Sequence, residues 1–462
     1  MNGKPLVFND PLGGQECLVW RLGTAVLVSS EIPTQAIVRP TNLGIDWIGL
    51  ANHLPNLSLA PEAAPLTGVT TVGPGCLYDP DSGQQTRVWS PATVISSAPS
   101  RAAVDPVALR DIVDDTVATL AQGRERIISD ISGGLDSAIV TAALARGRRV
   151  GGVHQRFPEP EGDEFIHARS IADRLGVPLT ILDRGPIAWT ASLIEATADG
   201  ARPSTNAIDC LFDQLLADHL ERENADALFT GHGGDAVFYQ SPNVNLFAEA
   251  LLSSSGGRGR LTAAANVAYR RRSSYFGLIR DAWRSHRAPP EGQVPGWLAD
   301  AHRVSPARRM QIVGLNYARH RFGRSLRERV CDLIDPLFSQ PVVEWCLRTP
   351  IMGLTGGDID RTLAREAFSE RLPQRVVWRA RKGDVSVFFS KSILNSRAFL
   401  RDYLLGGRLR EKGLLDPKKV EAALDPQAIL WRHVIDQVLP PLAAEAWVRV
   451  TEARLSGAEP RR

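Results

Sequence analysis

Lysine is scarce in this 462-residue chain. Six occur (Lys4, Lys382, Lys391, Lys412, Lys418 and Lys419), and arginine supplies almost all the remaining positive charge. A chain that avoids lysine this strongly makes a lysine beside a motif informative. Cysteine is nearly as rare. Cys17, Cys76, Cys210, Cys331 and Cys346 are scattered and odd in number, with no CxxC or metal-ligand spacing. That argues against a disulfide framework and a structural zinc site, and fits thiols in a reducing cytoplasm. No run approaches the roughly 18 consecutive apolar residues of a membrane span. The opening MNGKPLVFNDPLGGQE has no basic segment followed by an apolar core, so no secretory signal is expected. The net charge of +3 is too weak to argue for nucleic acid.

What is present is an ordinary globular composition, 44% hydrophobic and 23% charged, in a chain long enough for two or three cored domains. Residues 1–100 are rich in Pro, Gly and Thr, with short β-like runs (CLVWRL, TAVLVSS, QAIVRP) and the turn signals GPG and DPDSG. They read as a small β-rich domain ending at a junction near residue 100. From 105 strands and helices alternate. VALRDIVDDTVATLAQ is an amphipathic helix, RIISDIS a strand, SAIVTAALARG a helix, RVGGVHQRF a strand, DEFIHARSIADRLG a helix, PLTILD a strand and ADALFTG a further strand. Such alternation predicts an α/β fold, a parallel sheet with helices on both faces. Ligands bind such sheets at the carboxyl ends of the strands. Beyond 240 the strands are expected to stop, leaving a helical C-terminal part to about 455, with SSSGGRGR (253–260) as a surface loop.

Two glycine-rich stretches fall at strand ends. In SGGLDS (132–137) the glycines let backbone N–H groups approach an anion, and the following helix points its N-terminus at it. Ser132 and Ser137 add hydroxyls. No GK[ST] follows, so this is not a Walker A loop. Asp136 is the odd member: a carboxylate beside phosphates needs a cation between them, which implies Mg²⁺. The second stretch, GHGGDAVF (231–238), matches the dinucleotide pattern GxGxxA formally. It follows a late strand, however, and Asp235 would face the pyrophosphate. Paired with Asp136, Asp235 reads instead as a second carboxylate on one Mg²⁺. A plain glycine turn is the competing reading for either stretch alone.

Together SGGLDSA, DEFIHARSIADRLG and TGHGGDAVF resemble the asparagine-synthetase-type amide ligases, a branch of the SGGxDS (PP-loop) ATP pyrophosphatases with the adenine nucleotide alpha hydrolase-like fold. The resemblance covers about residues 105–440. LIDPLFSQPVVEW (333–345) resembles the family's PFLD helix, and LAREAFSERLPQRVVWRARKGD (363–384) its C-terminal lysine segment. The resemblance implies that Ser132, Gly133, Gly134, Asp136 and Ser137 hold the pyrophosphate of ATP. It implies that Ile131, Val153, Thr230, Gly231 and Gly233 line the rest of the nucleotide site, and that Asp136 and Asp235 hold Mg²⁺. The implied reaction is carboxylate adenylation followed by displacement of AMP by an amine. Lys382 is the candidate cation at the α-phosphate, with Arg381 as the rival for that role.

Two departures narrow the branch. Glutamine-dependent members carry a nucleophilic cysteine directly after the initiator methionine; here residue 2 is Asn2, and the N-terminal domain is about half the usual length. The family's second motif usually continues Asp-Glu, whereas Asp235 is followed by Ala236. An amine supplied by the substrate is therefore expected, with His232 as a candidate base or a structural histidine. The resemblance points most closely to the lasso peptide cyclases, macrolactam synthetases that join a precursor's N-terminal amine to an Asp or Glu side chain. A leader peptidase and a leader-binding protein are possible further partners; no nucleic acid and no membrane are expected. A β-lactam synthetase-like or other small-molecule amide ligase, an ammonia-dependent asparagine synthetase and a non-catalytic scaffold are the alternatives. Segments 258–287 and 303–329 each carry eight arginines and a single acid. They are expected to be helices that contact an acidic peptide or are simply solvated.

Overall fold

The computed structural model describes residues 5–98, 104–240, 244–252, 257–271, 273–287, 296–319, 325–356, 359–379, 383–431 and 434–457. Its centre is the expected parallel sheet. Strand β1 (Ile127–Asp130), β2 (Val150–Arg156), β3 (Leu179–Asp183), β4 (Ala227–Phe229) and β5 (Asp332–Ile334) lie in the order β3-β2-β1-β4-β5. All the pairings are parallel; Val150 stands opposite Ile127 and Ala227 opposite the same residue from the other side. Alternate side chains enter opposite cores, as strand geometry requires. Ile127 and Phe229 join the larger core with α1 (Pro106–Leu120) and α2 (Leu135–Leu144), while Ile128, Val153 and Leu228 pack with α4 (Cys210–Arg222) on the other face. Helix α3 (Phe165–Leu175) connects β2 to β3 and ends on Gly176 at φ 66, the left-handed cap that glycine favours.

The chain moves outward from β1 through β2 to β3, then crosses to the other side of β1 to place β4. The strand order thus reverses between β1 and β4, and a crevice opens at their carboxyl ends. SGGLDS follows β1 and GHGGDA follows β4, so both loops meet at this point.

The structure changes three expectations. Strands do not stop at 240: β5 pairs with β4 and completes the sheet. It uses the first residues of the LIDPLFSQPVVEW stretch, and Pro336 ends it. The helix proper begins only at Gln340 and runs to Arg348. Three residues are too short to show periodicity in the sequence. QAIVRP is not a strand but contains a 3₁₀ turn, Ala36–Val38. Within SSSGGRGR, residues 257–260 begin the helix Gly257–Arg271, whereas 253–256 lie outside the described residues.

The β-rich N-terminal segment contains the hairpin Leu18–Leu22 and Ala25–Ser29 and a second hairpin, Cys76–Asp79 with Gln84–Arg87. Its apolar residues form one small cluster of their own, Cys17, Val19, Val72, Cys76 and Tyr78, and also join a larger one. Leu18, Trp20, Leu50 and Leu66 share one cluster with Leu442, Trp447 and Val448 of the C-terminal helix Ile435–Leu455. A buried charged seam adds to this junction. Arg202 pairs with Glu16 at 2.5 Å and donates to the Pro61 carbonyl at 3.0 Å. Arg87 pairs with Glu62 at 2.8 Å. Arg319, at the end of α5 (Pro306–Arg319), stacks over Trp297 at 4.8 Å, and burial lowers its pKa to about 10.

Candidate active site

The crevice between β1 and β4 holds a polar cavity lined by both glycine loops. Gly134 is the N-cap of α2, so the first N–H groups of a ten-residue helix open toward it. The loop is closed on itself. Ser137 Oγ lies 3.0 Å from Ser132 Oγ, accepts from the Ser132 N–H at 3.2 Å and donates to the Gly134 carbonyl at 3.2 Å. Gly133 sits at φ +89, and a β-carbon there would lie 2.8 Å from the Glu164 carbonyl. The conformation and the close approach both demand glycine.

The second loop packs onto the first backbone to backbone. A β-carbon on Gly231 would lie 2.6 Å from the Asp136 carbonyl carbon and closer still to the Ser137 nitrogen; one on Gly234 would lie 2.8 Å from Asp136 Cβ. These glycines bring the loops together, and Asp136 and Asp235 therefore face one cavity. Thr230 is fixed by a hydrogen bond from its hydroxyl to Asp335, the first residue after β5, and it receives the His232 N–H at 3.1 Å. His232 donates from Nε2 to the Ala318 carbonyl at 2.7 Å. A neutral ring with its proton on Nε2 carries its lone pair on Nδ1.

Of the residues singled out in the sequence, Ser132, Gly134, Asp136, Ser137, Thr230, Gly231, His232, Gly233 and Asp235 line this cavity. Ile131, Gly133 and Val153 do not. Ile131 and Val153 are buried in opposite cores and joined by an Ile131 N–H to Val153 carbonyl bond of 2.8 Å. Arg381 and Lys382 lie outside the described residues. The residues on either side of residues 380–382 are both tied to Glu164: Arg379 pairs with it at 2.9 Å and Gly383 donates its N–H to it. Arg379 lines the cavity.

The sequence reading missed the cationic side of the cavity. Arg361 is 8% exposed and pairs with Asp136 at 2.7 Å and with Asp360 at 3.2 Å. Burial works against its charge, but Asp136, Asp360 and Asp235 outweigh it and raise its pKa. Arg365 pairs with Asp360 at 2.6 Å and donates to the Val377 carbonyl. Arg361 sits at φ 51 as the N-cap of the helix Thr362–Phe368, a conformation uncommon outside glycine, Asn and Asp. Only the repeated acid-base alternation in DIDRTLARE could have drawn attention to it. The described parts of the arginine-rich segments are largely helical, as expected, and Arg280 and Arg303 are exposed. Arg308 and Arg319 differ, since Arg308 is buried and bonds Gln311 and the carbonyls of Cys346 and Thr349, and Arg319 is buried in the charged seam.

The donor set suits a hard divalent cation. Two carboxylates on different loops both act on one buried guanidinium, so a single positive charge between them is favoured. Mg²⁺ is commonly held by one or two carboxylates together with substrate phosphates. Among the described residues no group of three or more His, Cys, Asp or Glu forms a dedicated metal cage.

Comparison with known proteins agrees with this geometry. Over 143 residues the chain is 34% identical to the tRNA-specific 2-thiouridylase MnmA of Azorhizobium caulinodans, a match spanning 27% of this chain and 35% of that protein's length. The family model "Asparagine synthase" matches residues 108–449, from within α1 to within the C-terminal helix. With the parallel sheet, the paired loops and this match over most of its length, the chain belongs to the asparagine synthase family.

Proposed function

We propose that this protein is a peptide macrolactam synthetase of the lasso cyclase type. ATP binds with its phosphates on the SGGLDS loop and the N-terminus of α2. The side-chain carboxylate of an Asp or Glu in a precursor peptide attacks the α-phosphorus, and pyrophosphate leaves. The peptide's N-terminal amine then attacks the acyl carbon; AMP leaves and an isopeptide bond closes the ring. Asp136 and Asp235 would hold Mg²⁺, which would neutralise phosphate charge.

The observation that carries the reading is the pairing of Asp136 and Asp235 on one cavity, with Ala236 following Asp235 where the family's second motif usually has a glutamate. That departure supports an amine supplied by the substrate. Ring closure is mostly positioning, where effective molarity reaches about 10⁵ M or more. His232 is the proposed acceptor of the amine proton. Lys382 is the proposed cation at the α-phosphate, with Arg361 held in reserve by Asp136. A leader-binding protein and a leader peptidase would act before this step to present a free amine, in the cytoplasm.

The test is direct. With ATP, Mg²⁺ and a precursor peptide bearing a free N-terminal amine, the protein should yield AMP, pyrophosphate and a peptide lighter by one water. ADP and phosphate as products would rule out adenylation. Free ammonia as the preferred amine would return the assignment to an asparagine synthetase.

A further inference from the structure

A second cavity, of about 680 Å³, opens beside the first and shares His232, Asp235, Gln240 and Asp360 with it. One wall is α5, which presents Met310, Val313, Gly314 and Tyr317; the other is Ala236 with Tyr239. Met310 and Tyr317 are 39% and 44% exposed, apolar surface kept open next to a polar site. Concave apolar walls with a few polar groups at one end are the usual form of a ligand subsite.

The charge pattern limits what fits. Among the described residues lining this groove no arginine or lysine occurs, and its acids, Asp235 and Asp360, lie at the shared mouth. Among the described lining residues a free amino acid's α-carboxylate would meet no counter-charge, which is costly on desolvation. An acid embedded in a peptide has no such carboxylate and brings flanking side chains instead. A β-carbon on Gly314 would lie 3.2 Å from Ala236 Cβ, so the two walls approach closely there and a larger residue at either position would crowd the groove. Tyr317 is held at the rim by Asn56 of the N-terminal segment, whose amide donates to its hydroxyl at 2.8 Å.

We propose that this groove seats an apolar side chain adjacent to the peptide's acceptor carboxylate, with Gly314, Ala236 and Tyr317 determining which peptides are taken. The inference rests on the ligase reading above and names its substrate class: an acidic residue within a peptide, flanked by apolar residues. It also gives the N-terminal segment a task, supporting Tyr317 through Asn56.

The probes are two capped peptides, Ac-Leu-Asp-Leu-Phe-NH₂ and Ac-Ser-Asp-Ser-Asn-NH₂, titrated calorimetrically into the full-length protein with Mg²⁺ and AMP. The apolar peptide should bind about tenfold or more tighter, the value of one buried large apolar side chain. Tyr317→Ala and Gly314→Val should each remove most of that preference, with the thermal midpoint reporting whether the variant is folded. Should Gly314→Val fail to fold, Gly314→Ala and Tyr317→Ser carry the same comparison. Equal affinities, no binding of either peptide, or a preference unchanged in the variants would overturn the inference. Pyrophosphate release, measured in parallel with ATP in place of AMP, separates the two readings. Release without peptide preference keeps the ligase and discards the groove; preference without release does the reverse.

Discussion

At the scale of single residues, the site depends on a few charges in fixed places. Asp136 and Asp235 are the proposed metal carboxylates. Asp136→Asn or Asp235→Asn should lower turnover by about 10³-fold or more, since a positioned metal contributes several kcal/mol; pyrophosphate release measures this, and near-normal turnover in either variant would refute the pair. Lys382→Ala should block turnover while a nucleotide-binding assay still shows ATP bound, and Arg381→Ala should be the milder change; the opposite order would transfer the role to Arg381. His53 makes a separate prediction. Its Nδ1 donates to the Gly49 carbonyl at 2.8 Å, and burial lowers its pKa to about 4. The folded state holds it neutral, so the unfolded chain takes up its proton first, near pH 6.5. Stability is therefore kept above about pH 6.5 and lost as pH falls toward about 4. His53→Gln should flatten the dependence of the denaturation midpoint on pH across that window, and an unchanged slope would exclude His53 as its cause.

At the scale of elements, the two loops work because their backbones touch. Gly231→Ala places a methyl against the Asp136 carbonyl carbon and the Ser137 nitrogen. Backbone cannot move aside as a side chain can, so the loops must part. The variant should lose about 1–3 kcal/mol of stability, read by urea denaturation, and lose activity out of proportion to that. This element-level picture was largely legible in the sequence. The β1 and β4 strands and the helix after β1 could be read because each is an apolar run bounded by turn chemistry, and the two glycine loops because they supply that chemistry. Other features could not. β5 is three residues long and sits beside a proline, and a strand that short carries no alternation. Arg361 was invisible because its role comes from long-range folding, which sets it against a residue 225 positions earlier. Ile131 and Val153, placed by resemblance at the nucleotide, have side chains buried in opposite cores.

At the scale of the whole molecule, the N-terminal segment is built into the ligase instead of tethered to it. Arg202 and Glu16 are both buried, at 3% and 6% side-chain exposure, and removing Glu16 takes the paired carboxylate from a buried guanidinium. Glu16→Ala should therefore cost about 3–5 kcal/mol, while any variant of the exposed Arg401–Glu421 pair should cost less than about 1 kcal/mol; denaturant midpoints compare them.

The position of β5 has a consequence for the order in which the molecule can assemble. The strand that flanks β4 is made roughly a hundred residues after it, and Arg361 later still. During synthesis the first four strands can collapse on α1 to α4, but the edge of β4 stays unpaired until Asp332–Ile334 has left the ribosome. Non-local pairing of this kind slows folding and leaves an open edge meanwhile. Helices between 244 and 319 would be formed before the sheet they pack against is closed. The chain should thus show a lag, with secondary structure regained early on refolding and the ability to bind nucleotide regained only in the last phase.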